Sequence, residues 1–150
     1  LSGSFEVPEI RRSALMPYPA QFMYDIVNDV ESYPEFLPWC GDVKISQLDN
    51  SSMEASILMR GAGLNHWFKT RNSMVPGQSI EMELVEGPFS KLDGLWSFTS
   101  IDSDGCKIEL MLQFEMKQGL ASTLIAPAFS RIANTMVDSF CERARNRYER

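Results

Sequence analysis

The sequence lacks any long uncharged run. Its longest stretch without Asp, Glu, Lys or Arg spans residues 118–130, which is 13 residues, against about 20 for a membrane-spanning helix. No basic region followed by an apolar run opens the chain, so no signal peptide is expected. Cysteine is scarce: Cys40, Cys106 and Cys141 are far apart and form no Cys-x-x-Cys pair. That argues against a disulfide framework or a structural zinc site and fits reduced thiols in a cytoplasmic protein. Cations are outnumbered, 14 Lys and Arg against 20 Asp and Glu, for a net charge of −6. Affinity for nucleic acid comes largely from neutralising phosphates, so no DNA partner is expected and any basic surface must be local. There is one histidine, His66, no glycine-rich phosphate loop and no nucleophile motif. A catalytic role is therefore not expected, and no cofactor is required.

Against these absences stands a globular composition of 44% hydrophobic and 23% charged residues. One hundred and fifty residues without repeats or low-complexity linkers read as a single domain spanning 1–150. Residues 1–7 are set aside as a vector remnant or disordered tail. Residues 9–15 read as a strand, and residues 20–30 as a helix with Phe22, Met23, Ile26, Val27 and Val30 on one face. Two prolines, Pro34 and Pro38, then limit the chain to a short turn and an apolar loop. From residue 41 to 116 the apolar period becomes two. Met53, Ala55, Ile57 and Met59 share a face, as do Ile80, Met82 and Leu84. So do Leu92, Trp96 and Phe98, and Cys106, Ile108, Leu110, Leu112 and Phe114. Turn residues at 49–51, 61–63, 76–77 and 102–105 join these strands into an antiparallel meander. The C-terminal pattern returns to three and four: Ile125, Phe129, Ile132, Ala133, Met136, Val137, Phe140, Cys141, Ala144 and Tyr148. Pro127 inside it predicts a kink or the true helix start.

The expected fold is α+β, a curved antiparallel sheet wrapped around a long C-terminal helix. Between sheet and helix such a fold can hold an apolar cavity. The candidate lining is Phe36, Leu37, Trp39, Met59, Phe68, Trp96, Phe114, Phe129 and Met136, with Phe36, Leu37 and Trp39 at the mouth. A closed core would use the same residues. Residues 118–130 are a second candidate, for transient contact with a membrane surface, which would place the protein peripheral to the inner membrane; a buried helix start would read the same way. Arg11, Arg12, Arg60, His66, Lys69 and Arg71 are a candidate basic patch, diluted by Glu81 and Glu83.

Several segments resemble one family. They are Ala14 through Tyr18, Val27-Asn28-Asp29-Val30, and Tyr33-Pro34-Glu35-Phe36-Leu37-Pro38-Trp39-Cys40. Phe68 through Asn72 and Glu86-Gly87-Pro88-Phe89 complete the set, followed by Leu92, Gly94, Trp96 and Phe98. Their order and spacing resemble the coenzyme-Q-binding START-like family, over about residues 8–148, in its bacterial type. The resemblance implies the helix-grip fold and binding of ubiquinone or a similar prenyl lipid in the sheet–helix cavity, in support of respiration. A toxin branch of the family implies instead a large-ribosomal-subunit partner and inhibition of subunit association. Lipid binding is the first expectation and the ribosomal role the alternative.

Overall fold

The computed structural model describes residues 9–61 and 64–148, with the backbone alone for residues 120–124. Residues 1–7, Ala62, Gly63 and Arg150, on which part of the sequence reading fell, lie outside the described residues. Strand β1 (Glu9–Met16) leads into helix α1 (Ala20–Asn28), a 3-10 turn (Val30–Ser32) and the one-turn helix α2 (Tyr33–Phe36). Six strands follow: β2 (Cys40–Leu48), β3 (Ser52–Gly61), β4 (Leu64–Val75), β5 (Ser79–Glu86), β6 (Phe89–Ser100) and β7 (Cys106–Met116). Helix α3 (Leu120–Tyr148) closes the chain.

The sheet is antiparallel in the order β1-β7-β6-β5-β4-β3-β2. Each hairpin pairs neighbours in sequence, and β1 returns to pair with β7, with Glu9 opposite Gln113 and Met16 opposite Cys106. The alternation decides the faces. Met53, Ala55, Ile57 and Met59 are buried, as are Ile108, Leu110, Leu112 and Phe114. Glu81, Glu83 and Arg71 face outward and are exposed. The α+β architecture is thus the one the periodicities imply, and it is the helix-grip fold that the resemblance implies.

Helix α3 lays Ile125, Phe129, Ala133, Val137, Phe140, Cys141 and Ala144 on the sheet. Pro127 neither starts nor ends it; the helix runs through from Leu120. Tyr148 departs from the expected stripe, being 50% exposed. The helix has run past the sheet there, so Tyr148 rests on Tyr18 and Phe22, with ring centroids at 4.5 and 5.0 Å. Helix α1 ends at Asn28, two residues short of the expected Val30. Its buried face is Ala20, Met23, Tyr24 and Val27, with Phe22 and Ile26 half-buried at its margin.

One aromatic cluster locks the layers. Phe140 meets Trp96 of the sheet at 5.3 Å, Tyr33 at 5.3 Å and Phe36 at 5.5 Å, all edge-on. That geometry sets ring edges against π faces. The Tyr33 hydroxyl donates to the Val27 carbonyl at 2.5 Å, so α2 is pinned to α1 by a buried bond. Phe140 is fully buried. Phe140→Ala is expected to cost about 3–5 kcal/mol, the lost transfer energy plus the cavity left behind. Urea unfolding checks it: a midpoint equal to that of the unsubstituted protein would contradict this packing.

Candidate functional site

Helix α3 and the inner sheet face do not close completely. A cavity of about 60 Å³ remains between them. Its walls are Ala55 and Ile57 of β3, Phe68, Thr70 and Asn72 of β4, Trp96 of β6, and Phe129, Ala133 and Met136 of α3, with Trp39 closing one end. Inward parity on β4 runs Leu64, Phe68, Thr70, Asn72, Met74, so two polar side chains stand on an otherwise apolar face. Both are buried, each 5% exposed. The Thr70 hydroxyl donates to Asn72 Oδ1 at 2.9 Å, which pays the desolvation of the hydroxyl. Sequence reasoning passed over this pair. The signal was present, since Thr70 and Asn72 share the parity of Phe68.

The expected lining divides. Trp39, Phe68, Trp96, Phe129 and Met136 surround the cavity. Leu37, expected at the mouth, is 1% exposed and belongs to the closed core, as do Met59 and Phe114. Leu37 turns inward because its carbonyl accepts from the Cys40 amide at 2.9 Å while its own amide donates to the Tyr33 carbonyl, also at 2.9 Å. Phe114 instead packs on Phe129 at 4.8 Å. Phe36 stands away from the cavity, its outer face covered by the Arg143 guanidinium at 4.7 Å, which also bonds Glu35 at 2.8 Å.

Outside Trp39 lies a second concavity of about 270 Å³. Pro38, Leu64, Ala128 and Ile132 make its apolar floor, and Arg60 and Arg131 stand on its rim. Trp39 and Ile132 line both spaces and form the wall between them. Of the uncharged segment 118–130, Ile125, Ala128 and Phe129 are buried. From Ile125 onward it is therefore the covered start of the packed helix; the side chains of residues 120–124 lie outside the described residues.

The six candidate basic residues do not form one patch. Arg11 and Arg12 sit on β1, an edge strand separated from β4 by β7, β6 and β5. Arg11 pairs with Glu9 at 2.6 Å, and Arg12 bonds Asn134 of α3. Arg71 is held by Glu54 at 2.6 Å. His66 has the inward parity of β4 and is half-buried opposite Met59. Arg60 stands at the rim of the groove, which leaves Lys69 on the outer face of β2–β4, two residues along from Trp67; Lys44, outside the candidate set, lies there too, 4.7 Å over the Trp67 ring. Trp67 is 38% exposed.

Reactive groups are sparse. Among the described residues no cluster of three or more His, Cys, Asp or Glu side chains is placed to hold a metal ion. The three cysteines are free and buried. Burial pushes the Cys40 thiol up to about 11, so it is a protonated thiol at neutral pH. Among the described residues no helix is long and apolar enough to cross a membrane.

The comparisons agree with this architecture. A sequence profile of the family described as polyketide cyclase / dehydrase and lipid transport matches residues 16–141. The ribosome association toxin RatA of Pseudomonas aeruginosa is 47% identical over 139 residues, covering 93% of this chain and 96% of that protein. The mitochondrial coenzyme Q-binding protein COQ10 homolog B of Xenopus laevis is 27% identical over 154 residues, covering 100% of this chain and 63% of that protein. Among solved structures, the Zhui aromatase/cyclase of Streptomyces sp. R1128 superposes with a TM-score of 0.83, covering 95% of this chain and 96% of that one. At 14% identity that likeness is one of fold.

The polar pair in the cavity gives a direct test. Thr70→Val removes a donor and leaves the Asn72 carbonyl buried without its partner. A loss of about 1–3 kcal/mol is expected. Thr70→Val with Asn72→Leu, which removes both polar groups, is expected to recover most of it. Urea midpoints of the two variants decide; equal losses in both would show that an unpaired Asn72 carbonyl is not what destabilises the single variant.

Proposed function

We propose that this chain, which belongs to the polyketide cyclase/dehydrase and lipid transport family, acts as a translation inhibitor of the ribosome-association-toxin type. In this reading it binds the large ribosomal subunit and keeps the small subunit from joining. The single observation that carries this reading is the 47% identity to RatA across nearly the whole of both chains. The coenzyme Q-binding homologue, at 27% identity and 63% coverage of its own length, stands further off. This ordering reverses the first expectation from the sequence, which put lipid binding ahead.

The outer sheet face suits an RNA-rich partner in spite of the net charge of −6. Lys44 and Lys69 flank the exposed Trp67, and no ion pair holds either lysine among the described residues. Phosphates are met by lysine, and an unstacked base is met by an indole face. Arg71 is a poorer contact, because Glu54 already neutralises it.

A second reading, that the interior takes ubiquinone or a similar prenyl lipid, is favoured by one observation: the aromatic-walled cavity between α3 and the sheet. Each buried CH₂ of a tail would contribute about 0.8 kcal/mol. The cavity's 60 Å³ is well below the roughly 300–1,000 Å³ of established ligand pockets. Entry of such a ligand therefore requires the wall at Trp39 and Ile132 to move.

The two readings are tested separately. The protein is expected to co-sediment with isolated large subunits and to reduce formation of joined ribosomes. Lys44→Glu with Lys69→Glu is expected to weaken co-sedimentation strongly, and rising salt to weaken it in the unsubstituted protein. Sedimentation indifferent to both changes would rule out this face as the contact. For the second reading, organic extraction and mass spectrometry of protein purified from quinone-producing cells is expected to return a prenylated quinone. An empty extract together with no saturable uptake of a short-tailed quinone would count against it.

A further inference from the structure

We infer that the outer groove and the inner cavity form one binding site for a single-chain amphiphile with an anionic head, its carboxylate or phosphate held between Arg60 and Arg131 and its chain passing Trp39 and Ile132 into the cavity. The inference rests on the second reading above, that the interior takes an apolar ligand, and adds the chemistry and orientation of that ligand.

Three observations carry it. The first is charge placement. Arg60 comes from β3 and Arg131 from α3, yet both border one apolar groove. Neither makes an ion pair among the described residues, whereas Arg11, Arg71 and Arg143 are each paired with a glutamate. Arg60 is positioned by the chain itself. The β2–β3 register slips between Cys40 and Asp42, which leaves Gly41 as the extra residue beside Arg60. A Cβ on Gly41 would come within 2.9 Å of Arg60 Nε, so the absent side chain is what lets Arg60 lie across the bulge. Two unpaired guanidiniums above an apolar floor complement a group that is anionic at one end and apolar at the other.

The second is the character of the wall. The Trp39 backbone is fixed, since its carbonyl accepts from the Arg60 amide at 2.7 Å. Its indole, half-buried, makes no ring contact and no hydrogen bond among the described residues. Trp96, by contrast, is stacked on Phe98 at 6.3 Å and wedged against Phe140 at 5.3 Å. Trp39 is thus held by apolar packing at the margin of the core and not by a ring or hydrogen-bond partner, and with Ile132 it stands where the two spaces meet.

The third is size. Neither space alone suits a lipid. The groove's 270 Å³ joined to the cavity's 60 Å³ reaches the lower end, about 300 Å³, of ligand pockets. Along β3 the distance from Arg60 on the rim to Ala55 on the cavity wall is five residues, roughly 17 Å at the rise of a strand. That is long enough to hold one extended chain.

The experiment titrates the purified protein with tetradecanoate, tetradecyl phosphate and tetradecanol, each below its aggregation threshold. Tryptophan emission is the readout, since Trp39 and Trp96 line the site. Both anions are expected to saturate and to bind at least about tenfold more tightly than the alcohol, the effect of charge-assisted hydrogen bonds to the head. Arg60→Gln with Arg131→Gln is expected to bring the anions down to the alcohol's affinity and leave the alcohol unchanged, with circular dichroism and melting temperature showing an intact fold. Gly41→Ala, which displaces Arg60, is expected to give part of the same loss. A preference for one anion over the other supports the inference and identifies the head. Equal affinity for anion and alcohol, or a preference that survives the double substitution, overturns the headgroup assignment while the apolar-ligand reading stands. No saturable binding of any of the three overturns both.

Discussion

A seven-stranded sheet offers more apolar surface than one helix can cover. Six inter-strand spacings of about 4.8 Å put β1 and β2 roughly 29 Å apart along a flat sheet, whereas a helix with its side chains is only about 10–12 Å wide. The rest of this structure answers that mismatch. The sheet curls about α3. Helix α1 covers Phe98 through Tyr24, at 5.7 Å. The α2 turn then supplies Tyr33 and Phe36 beside Phe140. Where these pieces stop short, between α3 and the inner faces of β3 to β7, the void is left, and Trp39 and Ile132 close it toward the outer groove.

The aromatic residues divide accordingly between clamp and boundary. Phe140, Trp96, Tyr33 and Phe36 contact one another and hold the three layers in register. Phe129 serves both roles, touching Phe89 and Phe114 at 4.8 Å each while its other side faces the cavity. The same residue types thus do different work according to how many partners each ring has found. Composition cannot reveal that difference. A phenylalanine on an inward face reads identically whether it meets another ring or an open space.

This explains what the sequence made legible. Strand faces and the α3 stripe follow from periods of two and three to four, which are local properties of the chain, and they were read correctly from Met53 to Met59 and from Ile125 to Ala144. The cavity depends on distances between elements, and local pattern does not encode them. A proline-bounded loop predicts Leu37 at the mouth; the backbone bonds of Leu37 to Tyr33 and Cys40 turn it inward. The same loop predicts Phe36 beside it, but Arg143 covers it from a helix 107 residues later in the chain. The pairing of Arg60 with Arg131 on one rim has the same origin. Only the tertiary fold, which sets β3 opposite α3 across the groove, brings them together. Thr70 and Asn72 are the instructive omission, since polar residues at apolar parity are visible in the sequence and mark a hydrogen-bonded spot on the cavity wall.

The two readings of function occupy opposite faces of the same two strands. On β4, Trp67 and Lys69 point outward while Phe68, Thr70 and Asn72 point to the cavity. On β3, Ala55 and Ile57 line the cavity and the alternate residues Glu54, Ser56 and Leu58 face away from it. Strand alternation therefore makes the functions separable by substitution at adjacent positions. A change at Lys69 leaves the cavity wall in place, and a conservative change at Phe68 leaves the outer charges in place. Effects confined to one face assign that face its own role. A substitution of Thr70 or Asn72, which line only the inner cavity, that alters both ribosome binding and ligand uptake in an intact fold acts through the shared strand and not through its own contacts.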